Sequence, residues 1–146
     1  MEDKQMNQYT FFSKIGAFSI DLENPKASLK SLRYAIDSLK RDNACLFIYP
    51  EGTITPVSEN KPDFKQGLAW LYTKIVDVDF VPIANYSHNL RSSKPELYLA
   101  IGNSVNHDKS LSRNELTELL KHDIHHLIST VRKDAGFTDE GFAKKW

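Results

Sequence analysis

Disulfide bonding within the chain is excluded at the outset, because Cys45 is the only cysteine in 146 residues. A lone thiol set inside an apolar run suits a reducing compartment and a small buried core position. There is no excess of either charge: nineteen basic residues face nineteen acidic ones. That balance argues against nucleic acid as a partner and against a polybasic membrane anchor, and it limits solubility. Long hydrophobic runs are missing too. The longest, from Ala44 to Pro50, falls far short of the roughly 20 residues that cross a bilayer. The opening MEDKQMNQYTFF carries acidic residues at once and no apolar stretch with a small-residue cleavage site, so it does not read as a secretory signal. What is present is enough for a core: 40% of residues are apolar and 11% aromatic, at a length typical of one domain.

Along the chain, Phe12, Ile15, Phe18 and Ile20 predict a strand over 15–20, with Gly16 where a bend or a close backbone approach would fit. Asn24-Pro25 breaks it. Leu29, Leu32, Ala35, Ile36 and Leu39 then recur at helical spacing and predict an amphipathic helix over 26–41. Cys45-Leu46-Phe47-Ile48-Tyr49 has no polar alternation, which predicts a strand buried on both faces of a parallel sheet. Pro50 ends it, and the Gly-, Thr-, Pro- and Ser-rich stretch 51–63 reads as a loop at a strand's C-terminal end, where α/β sheets hold ligands. A second helix is expected over 64–76, a third strand at Phe80-Val81-Pro82-Ile83-Ala84, and a half-exposed fourth over 96–101 after a polar turn at 88–94. Ser112-Arg113-Asn114-Glu115 has the form of a capping box and announces a last helix carrying Leu116, Leu119, Leu120, Ile124, Leu127, Ile128 and Val131. The expected fold class is α/β, a mostly parallel sheet flanked by helices. Residues 136–146 are expected to be loosely attached.

Pro50-Glu51-Gly52-Thr53 alone is a weak signal, but it does not stand alone. Ile15-Gly16-Ala17-Phe18-Ser19-Ile20-Asp21 comes first, then a helix with Ser31-Leu32-Arg33-Tyr34-Ala35, then Leu46 to Thr53, Phe64-Lys65-Gln66-Gly67 and Val81-Pro82-Ile83-Ala84. In order and spacing these resemble the second, third and fourth sequence blocks of the PlsC-like glycerolipid acyltransferase family, which includes 1-acylglycerol-3-phosphate acyltransferases. The resemblance lies within 14–84, about half the chain, and 85–135 adds only a generic hairpin and helix. It implies an incomplete acyltransferase domain spanning 1–146. It also implies transfer of a fatty acyl group from a coenzyme A or acyl-carrier-protein thioester, acting as substrate rather than cofactor, to a hydroxyl of a lipid-like acceptor. A cytoplasmic location follows, with peripheral contact at the cytoplasmic face of a membrane.

In the family's first block a His and, five positions later, an Asp form the catalytic pair. The His takes the acceptor's proton and the Asp holds the ring's tautomer. This chain has five histidines, and five positions after His88, His107, His122, His125 and His126 stand Ser93, Ser112, Leu127, Thr130 and Val131. The block should precede Gly16, where no His occurs. The expectation is that Met1 is an internal position of a longer domain; a shortened gene or a shortened product would explain it equally well. The rival reading is a non-catalytic module with a degenerate acyltransferase fold that binds a lipid, an acyl thioester or a protein. A missing layer would expose apolar surface, so self-association is also expected.

The resemblance assigns acceptor binding to Glu51, Gly52, Thr53, Gly16 and Phe18. Glu51 can orient a hydroxyl by a charge-assisted hydrogen bond, and Gly52 lets the backbone approach the bound group. Lys65 could offer positive charge to an anionic group, against a plain solvated-surface role. Members using glycerol phosphates commonly carry Arg where this chain has Leu22 and Ile54, which puts a phosphate acceptor in question and leaves an uncharged hydroxyl as a rival. His122 and His126 lie one turn apart, but no third ligand converges on them, and solvent-facing or partly buried histidines are the better reading. Trp70 and Tyr72 are expected in the core, while the Phe11-Phe12 pair is open between packing and a membrane-facing patch.

Overall fold

The computed structural model describes residues 11–21, 24–51, 63–89 and 93–136. Its elements in chain order are α1 (Phe11–Lys14), α2 (Pro25–Ser38), α3 (Gly67–Lys74), β1 (Ile83–His88), β2 (Glu96–Ile101) and α4 (Arg113–Asp134). Among the described residues the sheet is a two-stranded antiparallel hairpin, β1 against β2, in the register Ile83↔Ile101 to His88↔Glu96. The mostly parallel sheet expected from the sequence is not formed by these residues. No helix among them is long and apolar enough to cross a membrane.

The 15–20 strand gives way to α1 and a turn, with Gly16 at φ +81°, a left-handed conformation suited to glycine. No described residue lies within 4 Å of the place a Gly16 Cβ would occupy, so among them the glycine serves the bend and no close approach. Beyond it, the chain is drawn to the start of α2 rather than to a neighbouring strand. The Ser28 hydroxyl donates to the Asp21 carbonyl, and the Asn24 N–H donates to Asp21 Oδ1 at 3.2 Å. Asn24 in turn caps α2, its side chain accepting from the N–H groups of Lys26 and Ala27, with Pro25 just inside the start.

The Cys45–Tyr49 run also departs from expectation. Its burial alternates with a period of two, as in extended chain: Leu46 and Ile48 are half-buried, while Phe47 is 72% and Tyr49 82% exposed. Among the described residues no strand pairs with it on either side, and Cys45 is exposed rather than buried. Further on, the predicted strand at 80–84 starts late, at Ile83, because Pro82 has no N–H to give a ladder. Its carbonyl and that of Phe80 still accept from Gly102 N–H at 2.9 Å and Val105 N–H at 2.8 Å. Gly102 is required there, since a Cβ would meet Pro82 Cγ at 2.8 Å.

α4 organises the core. Leu116 and Leu120 pack with Phe64, Ala69 and Tyr72, and Val131 and Ala135 pack with Ala84 and Tyr86 on the inner face of the hairpin. One stripe on one helix therefore holds both clusters, as its period predicts. Tyr86 is buried enough for its phenol pKa to be raised, a shift that nearby Arg132 opposes. The helix begins in the capping box that the sequence announces. Glu115 N–H donates to Ser112 Oγ at 3.3 Å and Ser112 N–H to Glu115 Oε2 at 2.9 Å. These bonds lower the Glu115 carboxyl below its ordinary range. Because that pKa is depressed on folding, the box's contribution is present above the ordinary carboxylate pKa and is lost as pH falls through the lowered one. Ser112→Ala is expected to cost about 1 kcal/mol, read as a lower midpoint in urea with an unchanged slope.

Candidate functional site

Between the extended run 44–51, the stretch 78–85 and the inward face of α4 lies a groove of about 640 Å³, within the range of ligand-sized cavities. Its floor and sides are mainly apolar, with Ile48, Phe80 and Ile124 among them. Three carboxylate residues contribute to the lining, Glu51, Asp79 and Asp123, and among the described lining residues there is no Lys, Arg or His. The cavity therefore suits a greasy body with an uncharged or positive head better than an anion.

Local bonds place these groups. Lys65 N–H donates to the Pro50 carbonyl at 3.0 Å, so the two ends of the 51–64 connection meet and Glu51 is held beside the start of α3. Glu51 is half-buried and engaged. Asp79 accepts from the Ser104 hydroxyl at 2.9 Å. Asp123, on α4, faces His107 across 2.6 Å between Oδ2 and Nε2, and both side chains are largely buried.

That His–Asp pair escapes the sequence. A search at a spacing of five finds only partners on one helix turn, whereas His107 lies in the loop before α4, sixteen residues from Asp123. The loop is anchored by Tyr72 of α3, whose hydroxyl accepts the His107 N–H at 2.6 Å. The Tyr72 ring meets Phe80 edge-on at 4.8 Å and carries the Lys109 ammonium 5.3 Å above its centre. Lys109 also donates to the Ile75 carbonyl at 2.6 Å. Asp123 lines the groove and His107 is not among its walls, so the pair fixes a carboxylate in the lining and does not present an imidazole to the cavity.

Of the other residues singled out above, Gly52 and Thr53 lie outside the described residues, as do Leu22 and Ile54. Gly16 sits in the exposed turn after α1, and Phe18 packs edge-on against Tyr34 of α2 at 5.6 Å; neither borders the groove. Lys65 directs its ammonium to Asp63 at 3.2 Å with both side chains in solvent, an ion pair of little energetic weight. His122 and His126 are exposed, and no group of metal-ligating side chains exists among the described residues. Tyr72 is in the core as expected, Trp70 is half-buried, and the Phe11 and Phe12 rings meet at a tilt with their centres 5.8 Å apart.

No curated protein and no solved structure gives a significant match to this sequence. A family model described as Acyltransferase matches residues 4–86, more than half the chain. That span contains the whole series from Gly16 through Glu51 to the Val81-Pro82-Ile83-Ala84 stretch, and it ends within β1. The matched span supplies two of the groove's walls, and on this ground the chain belongs to the PlsC-like Acyltransferase family.

Proposed function

We propose that this chain provides the acceptor side of a transfer in which a fatty acyl group leaves a coenzyme A or acyl-carrier-protein thioester for the hydroxyl of an uncharged lipid-like acceptor. In that reaction the hydroxyl oxygen attacks the thioester carbonyl, the C–S bond breaks and the thiolate leaves. The base that takes the hydroxyl proton is the His of the family's first block, which this sequence does not encode. The groove supports the reading: it is mainly apolar, and the charged side chains among its described lining residues are all carboxylates. A phosphate would meet Glu51, Asp79 and Asp123 with no guanidinium from the described lining to offset them, whereas a hydroxyl can donate to Glu51. An acceptor of this kind resides in a bilayer, so contact with the cytoplasmic face of a membrane is part of the proposal.

The second reading, a binding module without chemistry, is favoured by one observation, the lack of any His followed five positions later by Asp. The acyltransferase reading requires the groove to bind its lipid, and so does the binding module where its ligand is a lipid rather than an acyl thioester or a protein. Titration of the chain with a monoacylglycerol and with the matching lysophosphatidate is expected to show the uncharged amphiphile binding more tightly. Glu51→Gln keeps nearly the same shape but removes a charge-assisted hydrogen bond of about 1.5–3 kcal/mol, so binding should weaken by roughly 10–100-fold at an unchanged melting temperature. Tighter binding of the phosphate ester, or a Glu51→Gln variant that melts lower and binds as before, would remove Glu51 from the acceptor site.

A further inference from the structure

The even balance of charge conceals an uneven distribution. From Lys26 to Arg41 five basic residues, Lys26, Lys30, Arg33, Lys40 and Arg41, stand against one acid, Asp37, and even with Asp42 just beyond it the stretch is net positive. Since the whole chain is neutral, the remainder is net negative. α2 gathers the cations on one side. At about 100° per residue, Lys26, Lys30, Arg33 and Asp37 fall within about 60° of one another and opposite Ala35. Ala35 is fully buried and Leu32 comes up to Gly67 of α3, whereas the four charged residues are exposed. Lys40 and Arg41 extend the exposed row through the turn after α2, where their N–H groups donate to the carbonyls of Asp37 and Ser38. Lys40 pairs with Asp37 at 2.7 Å, while Lys26, Lys30, Arg33 and Arg41 form no ion pair with a described carboxylate.

We propose that this face of α2 rests on the anionic headgroups of a phospholipid bilayer. Charge complementarity is the first reason: a cluster of four or more Lys and Arg on one side of an amphipathic helix is drawn to anionic lipid. The second is what flanks the cations. Tyr34 is 50% exposed at the edge of the row, and Phe18 packs edge-on against it. That contact brings alongside α2 the segment on which Phe11 and Ile15 are 62% and 60% exposed. Aromatic and aliphatic side chains beside cations suit the boundary between headgroups and acyl chains.

Continuity with the groove is the third reason. Leu39, directly after α2, is one of the groove's lining residues. Anionic phospholipid would be held at α2 and turned away by Glu51, Asp79 and Asp123, so an uncharged acceptor is the lipid that passes from one to the other. The inference rests to this extent on the reading of an acceptor that resides in a bilayer. An acidic protein is the poorer occupant, because the cations lie in a row of roughly 20 Å along the convex side of a helix and the exposed rings beside them gain most from lipid.

Flotation with vesicles of equal parts phosphatidylcholine and phosphatidylserine, set beside vesicles of phosphatidylcholine alone, tests this. The chain is expected to float with the anionic vesicles only and to be released as salt is raised. Each basic residue at an anionic surface strengthens binding about fivefold, so Lys26→Gln/Lys30→Gln/Arg33→Gln should bind about 100-fold more weakly with its helical circular dichroism intact. Should that variant fail to fold, Lys30→Gln alone is expected to lose about fivefold. Lys74→Gln/Lys94→Gln/Arg113→Gln removes the same charge from other parts of the chain and should cost less than about tenfold. Equal binding to both kinds of vesicle, equal losses in the two triple variants, or a chain that ignores vesicles and instead captures an acidic acyl carrier protein through these cations would each overturn the proposal. A chain that binds monoacylglycerol but no vesicle overturns the α2 surface and leaves the acceptor reading standing; one that binds anionic vesicles through α2 but no monoacylglycerol does the reverse.

Discussion

Acyl-CoA incubated with this chain and an acceptor is expected to be consumed no faster than in buffer alone. The reason lies in what the groove contains. Glu51 can orient a hydroxyl, but no imidazole is among the described residues that line the cavity to take its proton. His107 is no substitute, because its ring nitrogen Nε2 is committed to Asp123 and the ring lies behind the groove wall. A positioned base commonly contributes about 10²–10⁴-fold. A longer chain that supplies the family's His/Asp block ahead of Gly16 should therefore gain acyl transfer by that order, and His107→Ala in the same chain should leave the gain intact. Release of free thiol, followed by its absorbance with a disulfide reagent, reads both results. Turnover by the unextended chain well above the blank, or its loss on changing His107, would mean that the base is already present.

The second large effect is one of stability. Leu116 is fully buried, where the first cluster of α4 meets Phe64, Ala69 and Tyr72. Truncation to Ala leaves a cavity at the junction of α3, α4 and the loop tied to Tyr72, and such replacements cost about 2–5 kcal/mol. Against a total stability of about 5–15 kcal/mol this is a large fraction. Chemical denaturation should show the midpoint falling with little change in slope. Leu119, on the same helix but 37% exposed, provides the contrast: Leu119→Ala should cost well under half as much. Equal losses at the two positions would show that α4 is not oriented as described.

Local chemistry made some of this fold readable. The Ser112/Glu115 box is made of bonds between residues three apart, so its signal survives in the sequence and that helix begins where the box places it; Asn24-Pro25, read only as a break, proves to cap α2 by the same kind of local bond. That β2 is half-exposed was legible from its alternation, but not which face turns inward: Tyr98 and Ala100 pack toward α4 while the more apolar Leu97 and Leu99 do not. Cys45–Tyr49 was misjudged because an unbroken apolar run says that a segment could be buried on two faces. Whether strands lie on either side is decided elsewhere, and among the described residues none does. The 15–20 segment failed on the same ground, with Asp21 tied to α2 instead of to a ladder. Glu51, which follows an apolar run and a proline, does line the groove. The approach of His107 to Asp123 was not legible, because it depends on a loop anchored by Tyr72, and no spacing rule encodes a contact made by a third element.

The most direct test of the account is to ask which walls touch the lipid. A monoacylglycerol with a photoactivatable diazirine in its acyl chain, irradiated with the chain and followed by peptide mass spectrometry, reports contact directly. The account predicts label on peptides covering 44–51, 78–85 and the Leu120–Ile128 face of α4, reduced by excess unlabelled monoacylglycerol and by Glu51→Gln. Label confined to the outer hairpin residues Leu97 and Ile101, or to α2, with none in the groove, would contradict it.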